Sequence, residues 1–275
     1  MTTATSIARW LLDEASSGTT PTTCADDTGN GNTMTIDYSS GDAAWTSIAS
    51  GNGWQVTAAA NTATGPRLYI SDAVSTGNIV SSLNGQVEAS VILDVDLATP
   101  AASVSILRIA NQTSGTACFE ITMDASRKIT ISWGNEYGSY GTFYFGAIAT
   151  GRTILAIRVD SSQATSTNRV ILYSNGSNVS VEGGGDDIAL NLQFNQEPGY
   201  NPSLSLMNNM AVNNNPQGSI YYAEIFTGSL TTTQMTDSNT AISSDNDANW
   251  VGGGGGGTNG NLLNGKLSGL LAGKL

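Results

Sequence analysis

The stretch of sequence that decides the fold begins at Ile154-Leu-Ala-Ile-Arg-Val-Asp160, whose alternating and β-branched residues predict a strand. A polar turn at residues 161–168 follows. A second predicted strand, Arg169-Val-Ile-Leu-Tyr-Ser-Asn-Gly176, ends in the dipeptide that most readily supplies the positive φ angles of a tight hairpin. The alternation resumes at Asn178-Val-Ser-Val181. The stretch therefore predicts a three-stranded antiparallel meander, the unit from which sandwiches and jelly rolls are built.

Strand patterns recur along most of the chain. The clearest covers residues 86–97, where one face carries Val87, Ala89, Val91, Leu93, Val95 and Leu97 and only Ile92 breaks the polar face, so a long half-buried strand is expected. Further strands are predicted at residues 7–12, 33–36, 54–57, 67–70, 103–110, 118–123, 128–133, 143–148, 189–194 and 203–206. Many short strands without a clear helix predict an all-β fold, an antiparallel two-sheet jelly-roll sandwich.

Composition narrows the class of protein. The chain has 275 residues, of which 39% are hydrophobic, which is enough for a sizeable core. Its net charge of −12 argues against nucleic acid as a partner, because no basic stripe is present to displace counterions. An anionic membrane surface would repel such a chain as well. Because the first residues lack the basic and apolar regions of a signal peptide, we expect folding in a cytoplasm, with Cys24 and Cys118 as free thiols.

The C-terminal part differs from the rest in composition. We predict one domain at residues 1–250, a polyglycine linker at 251–257 and an anchoring tail at 258–275. The apolar residues predicted to bind a partner are Leu263, Leu267, Leu270, Leu271 and Leu275. As a strand, the tail places all of these except Leu270 on one face, and as a helix it places its glycines in a close-packing stripe. Strand and helix both remain open.

Three pieces of the sequence resemble laminin-G-like, concanavalin-A-like domains. Besides the central meander, these are Trp10-Leu-Leu-Asp-Glu14 with the turn at residues 27–32, and Gly218-Ser-Ile-Tyr-Tyr-Ala-Glu-Ile-Phe226 with the turn at residues 230–235. They follow the order of that family over residues 7–235. The resemblance implies a lectin-glucanase jelly roll of the kind found in phage virion decoration or fibre proteins, and carbohydrate binding as its usual use.

The residues give little support to catalysis. The chain has no histidine, which removes the commonest general base and the Ser-His-Asp arrangement. Glycoside hydrolases of similar fold carry a Glu-x-Asp-x-Glu strand, and the nearest patterns here are Glu120 with Asp124 and Asp94 with Asp96. Neither matches that spacing and composition, so we predict that the protein is not an enzyme.

Calcium is the one cofactor that the sequence leaves open. Asp26, Thr28, Asn30 and Asp37 follow the spacing of an EF-hand loop loosely, although no helices flank them. Some laminin-G-like domains bind calcium at the rim of a sheet. Residues 245–249 offer a second cluster of oxygen ligands. Turn formation by Asp and Asn is the competing interpretation of both clusters.

Exposed aromatic rings would mark a sugar site. Tyr137, Tyr140, Phe143 and Tyr144 in a glycine-rich segment are candidates, as is Trp45, with the segment 137–140 the best of them. Core packing is the alternative for each residue.

Two functions are therefore expected. The first is a non-enzymatic structural virion protein, a capsid decoration or fibre module with a lectin-like domain, assembled in the host cytoplasm. Its partners would be other virion or shell subunits, further copies of the chain and a cell-surface glycan. The alternative is a free carbohydrate-binding lectin, for which the sequence leaves calcium dependence open.

Overall fold

The computed structural model describes residues 3–12, 22–37, 46–47, 54–56, 67–71, 79–111, 117–134, 140–184, 192, 202–207 and 216–237. These residues form strands β1 Thr5–Trp10, β2 Thr23–Cys24, β3 Met34–Asp37, β4 Thr46–Ser47, β5 Trp54–Val56, β6 Arg67–Ser71, β7 Glu88–Leu97, β8 Val104–Asn111, β9 Ala117–Met123, β10 Lys128–Gly134, β11 Tyr140–Ala147, β12 Arg152–Asp160, β13 Val170–Ser174, β14 Ser177–Val179, β15 Val181–Gly184, β16 Pro202–Leu206 and β17 Gly218–Thr227. Helix α1 is Ile79–Leu83, a 3-10 turn covers Ser166–Asn168, and residues 232–237 form helix α2.

The strands form two antiparallel sheets. The eight-stranded sheet has the order β14-β13-β12-β7-β17-β5-β4, and β1 also pairs with β17. The nine-stranded sheet has the order β15-β11-β10-β9-β8-β16-β6-β3-β2. This arrangement confirms the predicted two-sheet sandwich.

The main core lies between the two sheets and follows the period-two alternation of the strands. The inner residues of β7, β9 and β10 belong to one apolar cluster, in which Phe119 packs edge-on against Trp133 at 5.6 Å between ring centroids. Burying one such large side chain contributes about 1.5–3 kcal/mol, so this layer is a major source of the stability of the sandwich.

The eight-stranded sheet is buried on its outer face as well. Ile92 lies there with Tyr222 and Phe226, and the segment after β17 covers them with Leu230 and Met235. The expectation of a half-buried strand at residues 86–97 is therefore corrected. Both faces of β7 are buried, because the returning chain covers the face that carries the polar side chains.

The central meander forms as its sequence predicts. Strands β12 and β13 pair from Leu155↔Ser174 to Val159↔Val170. Asn175 and Gly176 make the turn with φ angles of 49° and 73°. The third predicted strand is split, because β14 pairs with β13 whereas β15 crosses over to pair with β11 in the other sheet. The meander therefore closes one side of the sandwich.

Several predictions lie outside the described residues, including the linker at 251–257 and the tail at 258–275 with its five leucines. The predicted strand at 189–194 is described only at Leu192, which is buried and not in a strand. Within the described part of the chain, no helix is long and apolar enough to span a membrane.

Candidate functional site

The outer face of the nine-stranded sheet carries polar side chains across five strands, and these are buried at Ser205 and Arg108 and become exposed toward Tyr144. Cross-strand pairing runs from Ser205 to Arg108, on to Glu120 and Ser132, and ends at Thr142. Since side chains at paired positions project to the same side of a sheet, these groups form a row across five strands. We call the surface the polar face and define it by Ser105, Arg108, Glu120, Thr122, Lys128, Thr130, Ser132, Thr142, Tyr144 and Glu182.

Tyr144 is the exposed aromatic residue of the polar face. Its side chain is 51% exposed, and it lies opposite Thr130 on one side and Gly183 on the other. Its neighbours Phe143 and Phe145 point into the core because successive residues of a strand face opposite sides. The backbone of Tyr144 is therefore paired on both sides, and its ring is open to solvent next to threonine and serine hydroxyls.

A second row of hydroxyl groups leads away from Tyr144. Thr130 pairs with Thr122, and Thr122 pairs with Ser105. Ser105 is only 2% exposed, and its Oγ has no hydrogen-bond partner among the residues that the structure describes. A buried hydroxyl without a partner is uncommon, and at this exposure a water molecule, not a glycan, would complete its hydrogen bonding.

The charged groups of the polar face occur in opposite pairs. Nε of Arg108 lies 4.0 Å from Oε1 of Glu120, and Nζ of Lys128 donates to Oε2 of Glu182 at 2.6 Å. Burial lowers the pKa of Arg108, and the negative charge of Glu120 partly opposes this shift. The hydrogen bond to Glu182 raises the pKa of Lys128. Both cations of the polar face, Arg108 and Lys128, thus already face a carboxylate.

One end of the sandwich holds a depression of about 380 Å³. Arg127 forms its back wall and donates to the carbonyl oxygens of Leu97 at 2.7 Å, Ile148 at 3.2 Å and Ala149 at 2.5 Å. Burial lowers the pKa of this arginine, although Asp96 opposes the shift. Because the guanidinium joins the end of β7 to the loop after β11, its role in the described contacts is to tie the two sheets together.

The loop predicted for calcium is organised by one carboxylate. Oδ1 of Asp26 accepts from the backbone N–H of Arg9 at 3.1 Å and from both N–H and Oγ1 of Thr28, at 3.0 and 2.7 Å. Oδ2 accepts from the N–H of Asn32 at 3.0 Å. The side-chain amide of Asn30 donates to the Ile7 carbonyl at 3.1 Å. These contacts are those of a capped turn.

Calcium binding at this loop stays a prediction. The structure brings Asp26, Thr28 and Asn30 into the same turn but places Asp37 at the end of β3. Among the residues that the structure describes, no group of three or more His, Cys, Asp or Glu side chains could hold a metal ion.

The predicted aromatic residues are separated by the structure. Phe143 is 5% exposed and lies in the core, so it is not available to a sugar. Tyr140 begins β11, whereas Tyr137 and Trp45 lie outside the described residues. Tyr144 takes the exposed place, and the alternation in Thr142-Phe-Tyr-Phe145 was the sequence signal that could have singled it out.

Three of the four carboxylates considered for catalysis are engaged in other contacts. Asp94 is fully buried and makes a two-pronged contact with Arg152, with nitrogen–oxygen distances of 2.7 to 3.2 Å. Oδ1 of Asp124 accepts from the backbone N–H groups of Ser126 and Lys128, both within the turn between β9 and β10. Glu120 faces Arg108.

A further cluster of ionisable groups is buried where β1 meets β17. Arg9 pairs with Asp27, and the hydroxyl of Tyr222 donates to Glu224. Burial raises the pKa of Glu224, and the hydrogen bond from Tyr222 together with the charge of Arg9 only partly opposes this shift. Sequence reasoning missed this cluster because its members lie far apart along the chain.

Comparison with known proteins gives a fold but no family. The sequence matches no protein-family model and no curated protein. The fold is similar to the binding domain of botulinum neurotoxin DC in complex with rat synaptotagmin II, at 10% identity and a TM-score of 0.58 over 86% of this chain and 51% of that chain. It is also similar to Trypanosoma rangeli sialidase in complex with the inhibitor DANA, at 9% identity and a TM-score of 0.56 over 86% and 33%.

A third similar structure has about the same length as this chain. Domain 4 of AbnA, a GH43 extracellular arabinanase from Geobacillus stearothermophilus, in complex with arabinotriose, is 19% identical with a TM-score of 0.51, over 85% of this chain and 98% of that one. The chain spans about half the length of the neurotoxin structure. At these identities the likeness shows the fold alone, an antiparallel jelly-roll sandwich.

Proposed function

We propose that this chain is a non-enzymatic, lectin-like carbohydrate-binding module whose sugar surface is the polar face. The observation that carries the proposal is Tyr144, an exposed ring on a rigid strand among hydroxyl side chains. Sugar rings present apolar C–H faces and hydroxyl edges, so they fit an aromatic ring flanked by hydrogen-bonding groups.

The proteins of similar structure give general support to the proposal of sugar binding. The arabinanase domain was solved in complex with arabinotriose, and the binding domain of botulinum neurotoxin DC was also solved in complex with SialylT. Jelly-roll sandwiches serve many functions, so the argument for sugar binding rests on the polar face and not on the fold.

The test is a substitution at Tyr144. The wild-type chain is screened against arabinotriose and a panel of soluble polysaccharides by affinity electrophoresis, and binding is then measured by calorimetry. We expect Tyr144→Ala to weaken binding about tenfold, which corresponds to about 1.4 kcal/mol, and Tyr144→Phe to retain most of it. Val87→Ala removes a comparably exposed apolar side chain, 42% exposed, at the start of the eight-stranded sheet and serves as the control. Equal binding by Tyr144→Ala and wild type would place the site elsewhere.

The proposal that the module is not an enzyme is supported by its chemistry. The sequence has no histidine, and three of the four carboxylates considered for catalysis face arginines or cap a turn. Incubation with β-glucans and galactans should release no reducing ends. Activity that disappears in Glu120→Gln would overturn this part of the proposal.

We also propose that the module belongs to a virion, as a capsid decoration or fibre module, assembled in the host cytoplasm and attached through residues 258–275. The supporting observation is the run of six glycines followed by a leucine-rich tail, which is unusual for a free lectin. Its partners would be shell subunits or further copies of the chain.

The double variant Leu267→Asp with Leu271→Asp should fail to attach to the isolated assembly, and attachment equal to wild type would rule out the tail as the anchor. In that case the alternative, a free lectin that uses calcium at the Asp26 turn, would be favoured.

A further inference from the structure

We infer that the glycan recognised by the polar face is uncharged, and that acidic glycans such as those bearing sialic acid are disfavoured there. The inference rests on the proposed carbohydrate-binding function and adds the chemical class of the ligand. It is carried by the arrangement of charges on the described part of the polar face.

Recognition of an acidic sugar needs a cation that is available to the ligand. A guanidinium binds a carboxylate best with two parallel hydrogen bonds, and it does so strongly only when that fork faces the ligand. Arg108 is 4% exposed and faces Glu120, so its charge is already balanced inside the surface. An approaching carboxylate would meet Glu120, whose side chain is 19% exposed against 5% for that of Arg108.

The second cation of the polar face is balanced in the same way. Nζ of Lys128 donates to Glu182 at 2.6 Å, and the two side chains are 47% and 42% exposed. Since both groups are solvated, their attraction is modest, but they add no net positive charge near Tyr144. The described part of the surface therefore offers two cations and two carboxylates, in pairs.

The charge of the whole chain acts in the same direction. With 10 basic and 22 acidic residues, the field around the molecule repels anions over roughly one Debye length, about 8 Å at physiological salt. By contrast, the rows of threonine and serine hydroxyls next to Tyr144 donate and accept hydrogen bonds without needing a charged partner. A neutral hydroxyl-rich chain fits both properties.

The experiment compares matched pairs of glycans. Lactose and sialyllactose, and neutral polysaccharides against their uronic-acid counterparts, are presented to the full chain on one array, and affinities are measured at about 0.02 and 0.3 M salt. We expect the neutral member of each bound pair to bind at least about fivefold more tightly at low salt, and its affinity to change less than about twofold with salt.

A variant tests whether the charge pairs set this preference. Glu120→Gln is nearly isosteric and leaves Arg108 without its facing carboxylate, so we expect the ratio of acidic to neutral binding to rise at least about threefold. Asp237→Asn changes the net charge of the chain by the same amount but lies in α2, beside the other sheet, and should leave the ratio unchanged.

Each remaining outcome decides against the inference. Tighter binding of the acidic member by the wild-type chain, lost in Tyr144→Ala, would overturn the neutral ligand while keeping the polar face as a sugar site. Equal shifts in Glu120→Gln and Asp237→Asn would show that the overall charge, and not the pairing on the face, sets the preference. Binding of no glycan at all would overturn the proposed function together with this inference.

Discussion

Glu224 is an acid that the fold buries without fully balancing the negative charge of its ionised form. It is fully buried beside Arg9, which also pairs with Asp27, so two carboxylates share one described guanidinium. Burial raises the pKa of Glu224 above its usual value of 4.5. An acid with a raised pKa in the folded state binds its proton more tightly there than in the unfolded chain. Its contribution to stability is therefore complete below pH 4.5 and is lost as the pH rises through the raised pKa.

The first prediction follows from that sign. Wild type should lose stability relative to Glu224→Gln as the pH rises from about 4.5 toward neutrality, because glutamine keeps the contact with Tyr222 but cannot ionise. Chemical unfolding of both proteins at several pH values measures the difference. Glu182→Gln, at an exposed ion pair, is the control and should run parallel to wild type. Parallel curves for Glu224→Gln would show that Glu224 is not protonated in the native state.

Arg127 gives the second prediction at this scale. Its side chain caps three carbonyl groups at the end of the sandwich, and its backbone has a φ of 62°. Lysine keeps the charge but cannot reach three acceptors in different directions, so Arg127→Lys should lower the free energy of unfolding by about 2 kcal/mol. Arg169→Lys, which loses a single bond to the Gln163 carbonyl, should cost less than about 1 kcal/mol. Equal losses in the two variants would contradict the role of Arg127 as a tie between the sheets.

Strand β15 shows how one element places the candidate site. It leaves the eight-stranded sheet after β14 and pairs with β11, with Gly183 opposite Tyr144 and Gly184 opposite Phe143. Gly184 has a φ of 88°, and a Cβ there would lie 2.0 Å from the carbonyl oxygen of Thr142. Only glycine lets the two backbones approach this closely, so the crossing of the chain between sheets depends on it.

The third prediction uses that close approach. Gly184→Ala should lower the free energy of unfolding by about 2–4 kcal/mol and weaken sugar binding, because β15 must move away from β11 next to Tyr144. Gly151→Ala is the matched control: its φ is 83°, but no atom lies within 4 Å of the new Cβ. It should cost about 1–2 kcal/mol, the left-handed backbone alone, and leave binding intact. A loss no larger in Gly184→Ala would show that β15 is not held by this contact.

The sequence predicts the strands and turns of this fold better than it predicts which faces of the strands are buried. The meander and its Asn175-Gly176 hairpin follow from local pattern, and the structure confirms them. The burial of Asp94 and the outer-face position of Ile92 could not be predicted, since they depend on the chain that returns after β17 to cover the sheet. For the same reason the polar face was missed. Its members come from β8 to β11 and β15 and meet only through cross-strand register, which local periodicity does not encode.

The core that the described residues form lies well before the glycine run. Within the described part of the chain, the residues of both apolar clusters lie between positions 4 and 235. Six consecutive glycines contribute no side chain to packing, so the fourth prediction is that the chain truncated after residue 250 unfolds cooperatively with a midpoint within about 2 °C of the full chain. Thermal unfolding followed by near-ultraviolet circular dichroism makes the comparison. A molten or insoluble product would show that residues 251–275 belong to the core.

The pairing of β1 with β17 has a mechanical consequence. Thr5 lies opposite Thr227 and Trp10 opposite Ala223, so the N-terminal end of β1 and the C-terminal end of β17 lie side by side, and the bridge between Thr3 and Ser229 extends this contact. Pulling these two strand ends apart would load the contacts one rung at a time, from Thr3 inward, whereas β17 would stay held by its nine paired positions on β7. A module tethered through both ends would therefore yield by peeling off β1 under low force. If the module is tethered at one end alone, no force acts between β1 and β17.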